Sequence, residues 1–173
     1  MRRIFWIVAV LVAVQGLILV LYLYVQSDRD GSSIAVDRLS RRAPELTLMS
    51  PDGSISLLSE LRGSTVVLHF WATWCPPCRA ELPSLLDFAS SGAAAVRAVS
   101  VDPEWFAVRS FVEGESLEFV YLASAEEVSD TFGVEGLPQT FVIDATGTLR
   151  LHFQGPQDWS SRTLRAMIAK LEP

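Results

Sequence analysis

The sequence predicts an α/β protein: a mixed central sheet with helices on both faces and an amino-terminal β-hairpin extension, preceded by one transmembrane helix. Three observations carry this expectation. Between residues 64 and 132, short β-branched runs alternate with segments of helical spacing, the pattern of parallel strands joined by helical crossovers. Residues 140–153 then hold two strand runs separated only by Asp144 to Gly147, too short a link for anything but an antiparallel pair. The third observation is at the start of the chain, where Ile4 to Val25 form 22 residues without a charge.

That first stretch, IFWIVAVLVAVQGLILVLYLYV, is long enough to cross a bilayer. Arg2 and Arg3 precede it and should remain on the cytoplasmic side, which places everything after Val25 across the membrane. Trp6, Tyr22 and Tyr24 sit where interfacial rings would anchor the two ends. A cleaved signal peptide would have a shorter apolar region ending in a small-x-small site, which QSDRDGSS does not offer. The arginine pair also fits a twin-arginine export signal, although the apolar run begins directly after it. The expected organisation is a signal anchor over 1–25, a polar tether without sustained apolar period over 26–42, and one domain over 43–173.

The 173-residue chain has a formal net charge of −6. No acid precedes the end of the apolar stretch, so the remainder carries 20 acids against 12 bases. An acidic surface of this kind argues against nucleic acid as a partner. Two cysteines make at most one disulfide, so the domain must be held by its core rather than by cross-links.

Within the domain, LTLMSPDGSISLL alternates apolar and polar residues on both sides of Pro51-Asp52-Gly53 and predicts a hairpin. STVVLHFWA, 64–72, reads as a buried central strand bounded by Gly63. The segment from Arg79 to about Ser90 carries Leu82, Leu85, Leu86 and Phe88 at helical spacing, so a strand runs almost directly into a helix. AAVRAVSVD, 94–102, is the next strand, followed by a helix beginning at Pro103 and a strand in FVYLAS. Ser124 and Glu127 stand in the S-x-x-E capping arrangement and predict a short helix. After the hairpin of 140–153, SSRTLRAMIAKLE closes the chain as a helix with Leu164, Met167, Ile168 and Leu171 on one face.

Both cysteines lie in HFWATWCPPCRAELP, residues 69–83. Three apart at the mouth of a helix, Cys75 and Cys78 fall within the separation a disulfide tolerates. Pro76 disfavours helical geometry at Cys75 and suits the first helical position, which puts Cys75 at the N-cap. Free backbone N–H groups and the positive end of the helix dipole would there stabilise a thiolate. Cys75 is thus the expected nucleophile, and Cys78, one turn inside, the thiol that resolves a mixed disulfide. A structural staple of this span removes little chain entropy. A zinc knuckle needs four ligands, and only His69 and His152 could join the pair. A copper(I) carrier using the two thiolates remains a competing chemistry.

FWATWCPPCRAELP, together with GVEGLPQTFVIDATG at 133–147, resembles the thioredoxin superfamily, and within it the membrane-anchored TlpA/ResA-like group that includes the DsbE-type cytochrome c maturation proteins. The resemblance runs from about Ala43 to Glu172. It implies a thioredoxin fold in which the bond Leu137-Pro138 is cis and lies against the cysteine pair, with backbone beside it pairing to the substrate chain. It also implies that Glu81 lies close to the thiols and tunes their ionisation or relays a proton, and that Trp74, Pro76, Pro77 and Leu137 border the substrate. Pro83 matches a helix-kinking proline. Position 69 departs from the family pattern, where a buried carboxylate or an Asn is usual; His69 is a candidate proton acceptor for Cys78, or else a hydrogen-bonded core residue.

The resemblance implies a protein-disulfide oxidoreductase whose redox-active disulfide is Cys75-Cys78, without haem, flavin or metal. By the same resemblance it sits in the inner membrane with its domain in the periplasm or an equivalent space. It would reduce disulfides of partner proteins in cytochrome c maturation or copper-site assembly, recharged by a membrane thiol donor, and touch the lipid bilayer through residues 4–25. A disulfide-donating oxidant and a copper(I) metallochaperone are the alternatives.

Overall fold

The computed structural model describes residue 6 and residues 12–21, 36–112 and 114–172, and the chain divides into two units, residues 1–34 and 35–173. In the first unit, residues 12–21 are helical with exposed side chains. Among the described residues no helix is long and apolar enough to cross a membrane. The rest of the expected span and residues 26–35 of the expected tether lie outside the described residues.

The second unit is built on one eight-stranded sheet. Its strands are β1 (Val36–Arg42), β2 (Thr47–Met49), β3 (Ile55–Leu57), β4 (Val66–Trp71), β5 (Ala95–Ser100), β6 (Val120–Leu122), β7 (Gln139–Ile143) and β8 (Thr148–Gln154). They lie in the order β1-β8-β7-β4-β5-β6-β2-β3. Among the described residues four α-helices accompany them: α1 (Pro76–Ser90), α2 (Trp105–Phe111), α3 (Ala125–Phe132) and α4 (Arg162–Ala169). β4 pairs parallel with β5, and β5 with β6, across the helical crossovers the sequence predicts. β7 and β8 form the expected antiparallel hairpin, and β7 pairs antiparallel with β4, so the sheet is mixed.

All six residues of β4 are buried, as a central strand requires, and its alternating side chains serve two different layers. Val66, Leu68 and Phe70 enter one core cluster with Val128 and Phe132 of α3, Phe141 and Leu149. Phe70 packs against Phe132 and Phe141 at ring-centroid distances of 5.2 and 6.0 Å. On the opposite face, His69 meets the edge of Trp159, whose ring in turn lies 5.6 Å from Phe88 of α1. Trp71, on the same side of β4, packs on Phe111 of α2. Helical packing on both faces follows from this alternation.

Residues 36–42, assigned above to the tether, instead form β1. The strand pairs antiparallel along the outer edge of β8, from Val36 opposite Phe153 to Arg42 opposite Thr148, with a register shift between Arg38 and Arg41. An outer strand covers little core, so only Val36 and Leu39 are half-buried and the rest, polar or charged, is exposed. Such a strand shows no sustained apolar period, and its arginines blunt a sheet edge that would otherwise invite pairing.

The β2–β3 hairpin turns at Gly53, whose φ of 85° is a glycine conformation, with the Asp52 carboxylate accepting the Ser54 N–H at 2.9 Å. It extends the opposite edge of the sheet through β6. At the head of α3, Ser124 accepts the Glu127 N–H as expected, but the Glu127 carboxylate does not return the bond. It accepts the Thr47 N–H at 3.0 Å instead, fastening β2 to the helix. Gly133, at φ 70°, ends α3 in the left-handed conformation and starts the loop that leads to the candidate site.

Candidate active site

Cys75 is the N-cap of α1, with extended backbone at φ −94° and ψ 106°, and Pro76 and Pro77 occupy the first two helical positions where no N–H is needed. Its Sγ accepts the Cys78 N–H at 3.3 Å. The two cysteines are joined as a disulfide with Cα atoms 5.3 Å apart. Cys75 keeps 5% of its surface exposed and Cys78 none, which puts the first sulfur within reach of a partner and leaves the second behind it.

The turn before Cys75 is fixed from β5. Asp102 accepts the Thr73 N–H at 2.8 Å and the Thr73 hydroxyl at 2.7 Å, while Ser100 Oγ donates to the same carboxylate at 2.6 Å. Held from there, Trp74 projects outward and is 66% exposed, so it offers a ring beside Cys75 to solvent or to a partner. Trp71 and Phe70 are wholly buried.

The loop from Gly133 carries Leu137 and Pro138 into the start of β7. The Leu137-Pro138 peptide is cis, as the resemblance implies, and the Pro138 carbonyl accepts the Gly155 N–H at 2.9 Å. Beside it runs an open groove of about 490 Å³, lined by Gly136, Leu137, Pro138, Gln139 and His152. His152 is stacked on Phe141 at 4.2 Å and hydrogen-bonded to Gln139, so it has a packing role on β8.

Beneath the cysteines, Glu81 lies one helical turn after Cys78 and is 5% exposed. Its Oε1 accepts the indole N–H of Trp159 at 2.7 Å. Burial pushes the Glu81 carboxyl up to about 7, against the opposing effect of the hydrogen bond from Trp159. His69 is fully buried on β4; its Nδ1 is 2.8 Å from Thr140 Oγ1 and 3.7 Å from Glu81 Oε1. Burial drives His69 down to about 3, so the imidazole is neutral around pH 7. Sequence reasoning named Glu81 and His69 but missed Trp159, Thr140 and Asp102. A lone aromatic in the polar loop QGPQDWSS is the one local signal that Trp159 is an anchor. Among the described residues no three His, Cys, Asp or Glu side chains converge as metal ligands.

A nucleophile-ready sulfur at a helix mouth and its buried partner are the parts that thiol-disulfide exchange requires, and the fold presenting them is thioredoxin-like. The protein is a thioredoxin-like protein-disulfide oxidoreductase. Residues 39–152 match the AhpC/TSA family, and the chain belongs to it. It is 29% identical over 141 residues to the thiol-disulfide oxidoreductase ResA of Bacillus thuringiensis (strain Al Hakam), covering 79% of this chain and 80% of the relative. Among solved structures it resembles a chain described as a DsbE thiol:disulfide interchange protein of Chlorobium tepidum, with a TM-score of 0.64 at 29% identity over 77% of this chain and 97% of that one. A secreted Mycobacterium tuberculosis disulfide oxidoreductase homologous to Escherichia coli DsbE matches with a TM-score of 0.61 at 26% identity, covering 72% of this chain and 95% of that one.

Proposed function

We propose that the chain is a membrane-anchored, extracytoplasmic reductant of disulfides in partner proteins, serving cytochrome c maturation or copper-site assembly. The observation that carries the exchange chemistry is the Cys75 Sγ at the α1 N-cap accepting the Cys78 N–H. In the dithiol form the same N–H and the helix dipole favour a Cys75 thiolate. That thiolate attacks one sulfur of the partner disulfide; the partner S–S bond breaks, and its second sulfur leaves as a thiolate that takes a proton from water. Cys78 then gives its proton to Glu81 and attacks Cys75 Sγ; the mixed-disulfide bond breaks, and the partner sulfur leaves as a thiolate that takes a proton from water, completing the partner dithiol. Two electrons have passed to the partner, and Cys75-Cys78 is left as the disulfide.

Trp74, Pro76, Pro77, Leu137 and Pro138 form the rim against which the partner chain lies. The charge-free run from Ile4 to Val25 behind Arg2 and Arg3 supports the anchor and its outward orientation. The secreted relative supports the same side of the membrane. An oxidising compartment would trap the protein as its disulfide, so a membrane thiol donor must recharge it.

Trapping tests this reading. The full chain carrying Cys78→Ser, expressed in its host membrane and quenched with acid, is expected to accumulate dithiothreitol-sensitive adducts with other proteins. Adducts that persist after Cys75→Ser is added, or a complete lack of adducts, would contradict it.

A further inference from the structure

Two ionisable side chains are buried together beneath the disulfide, and each is only half satisfied. His69 Nδ1 has Thr140 Oγ1 at 2.8 Å, and Glu81 Oε1 has the Trp159 indole N–H at 2.7 Å. His69 Nε2 and Glu81 Oε2 meet no hydrogen-bond partner. A buried N–H without an acceptor is costlier than a bare ring nitrogen, so the imidazole proton belongs on Nδ1 and the lone pair on Nε2. The protonated side of the ring is then the side 3.7 Å from Glu81 Oε1. In a water-poor interior the positive end of that N–H dipole favours the carboxylate over the carboxylic acid.

The surrounding elements bring little competing charge. β5 places Ala98 beside His69, and β7 places Thr140 there. The segment before α4 contributes the Trp159 indole to Glu81. Asp158 is exposed and bonded to Ser160, and Arg165 donates to the Trp159 carbonyl. Cys75 and Cys78 are the remaining titratable groups at the site, with Cys78 one turn before Glu81.

We infer that His69 is a positioning residue that acts through Glu81: its Nδ1–H keeps the Glu81 carboxylate available near neutral pH as the acceptor of the Cys78 proton. The inference rests on the exchange chemistry proposed above, in which Cys78 must lose its S–H proton before its sulfur attacks the mixed disulfide. The proton moves from Cys78 Sγ to a Glu81 oxygen and returns to solvent once the partner has left. His69 takes no proton from the thiol, which differs from a direct acceptor beneath the cysteine pair.

The test is the single-turnover rate of mixed-disulfide resolution against pH in the full chain, with an oxidised glutathione adduct at Cys75 as the probe. His69→Leu is expected to raise the midpoint by a pH unit or more, a slowing of at least about fivefold at the wild-type midpoint. His69→Asn, whose amide can face the same oxygen, should recover at least half of that shift. In a Glu81→Gln background, His69→Leu should slow resolution no further. Equal midpoints for the wild type and His69→Leu, or a full additional loss in the Glu81→Gln background, would overturn the inference. Nitrogen NMR of the wild-type histidines gives a test that needs no variant: His69 should be neutral with its proton on Nδ1, and a proton on Nε2 would overturn the assignment. A wild-type chain that resolves no adduct at any pH would overturn the exchange chemistry itself, and this inference with it.

Discussion

The indole N–H of Trp159 donates a 2.7 Å hydrogen bond to the carboxyl of Glu81, joining residues 78 positions apart directly behind the cysteine pair. Trp159 is fully buried between His69 and Phe88, so this bond ties α1, β4 and the segment before α4 into one unit. It also gives the buried carboxyl a donor that offsets its desolvation.

Trp159→Phe keeps a ring in place but removes that donor. A buried acceptor deprived of its partner costs about 1–3 kcal/mol. Urea denaturation should show a loss in that range, and the Glu81 carboxyl should move further up. A loss below about 0.5 kcal/mol would mean that the bond is replaced by another donor.

The His69 and Glu81 shifts oppose each other in the pH dependence of stability. Glu81 rises from 4.5 to about 7 on folding, so the native state holds the extra proton and stability falls as pH climbs through that window. His69 drops from 6.5 to about 3, so the unfolded state holds the extra proton and stability falls as pH is lowered through that window. Where the windows overlap the two nearly cancel. Between pH 5 and 6, Glu81→Gln should therefore gain stability with rising pH, relative to wild type, by about 1.4 kcal/mol per pH unit, and His69→Leu should lose it at a similar slope. Parallel curves for all three proteins would contradict the buried, uncharged pair.

Asp102→Ala would strand the Thr73 N–H and the Ser100 hydroxyl in a protected site. A destabilisation of about 1–3 kcal/mol is expected. Hydrogen exchange should accelerate at Thr73 and Cys75 while amides of β7 stay protected; uniform acceleration would point to a global rather than local role.

Trp74→Ala should separate recognition from folding. An exposed side chain contributes little to stability, so the unfolding free energy should change by under about 0.5 kcal/mol. As an aromatic anchor in an interface it would carry about 2 kcal/mol, a roughly thirtyfold loss in kcat/KM with protein disulfides but not with a small disulfide such as oxidised glutathione. Equal loss on both would place Trp74 in the chemistry instead.

Local chemistry explains what was legible beforehand. Val66–Trp71 is apolar except for His69 because both faces are covered, and the Cys75-Pro76-Pro77-Cys78 run carries its N-cap geometry within four residues. β1 was not legible because an outer strand has too few buried positions to show a period. Asp102 and Trp159 were not legible as site residues because their partners lie 29 and 78 positions away, a distance only the folded sheet closes. His69 was legible as a residue, but its neighbour Glu81 was not legible as its partner, since one sits on a strand and the other on a helix.

The reduction potential of Cys75-Cys78 in the full chain tests the central claim most directly, measured in glutathione and dithiothreitol buffers with mass-spectrometric counting of trapped thiols. A reductant of partner disulfides should equilibrate near about −270 mV. A value near about −120 mV would instead mark a donor of disulfides and contradict the direction of electron flow proposed for this protein.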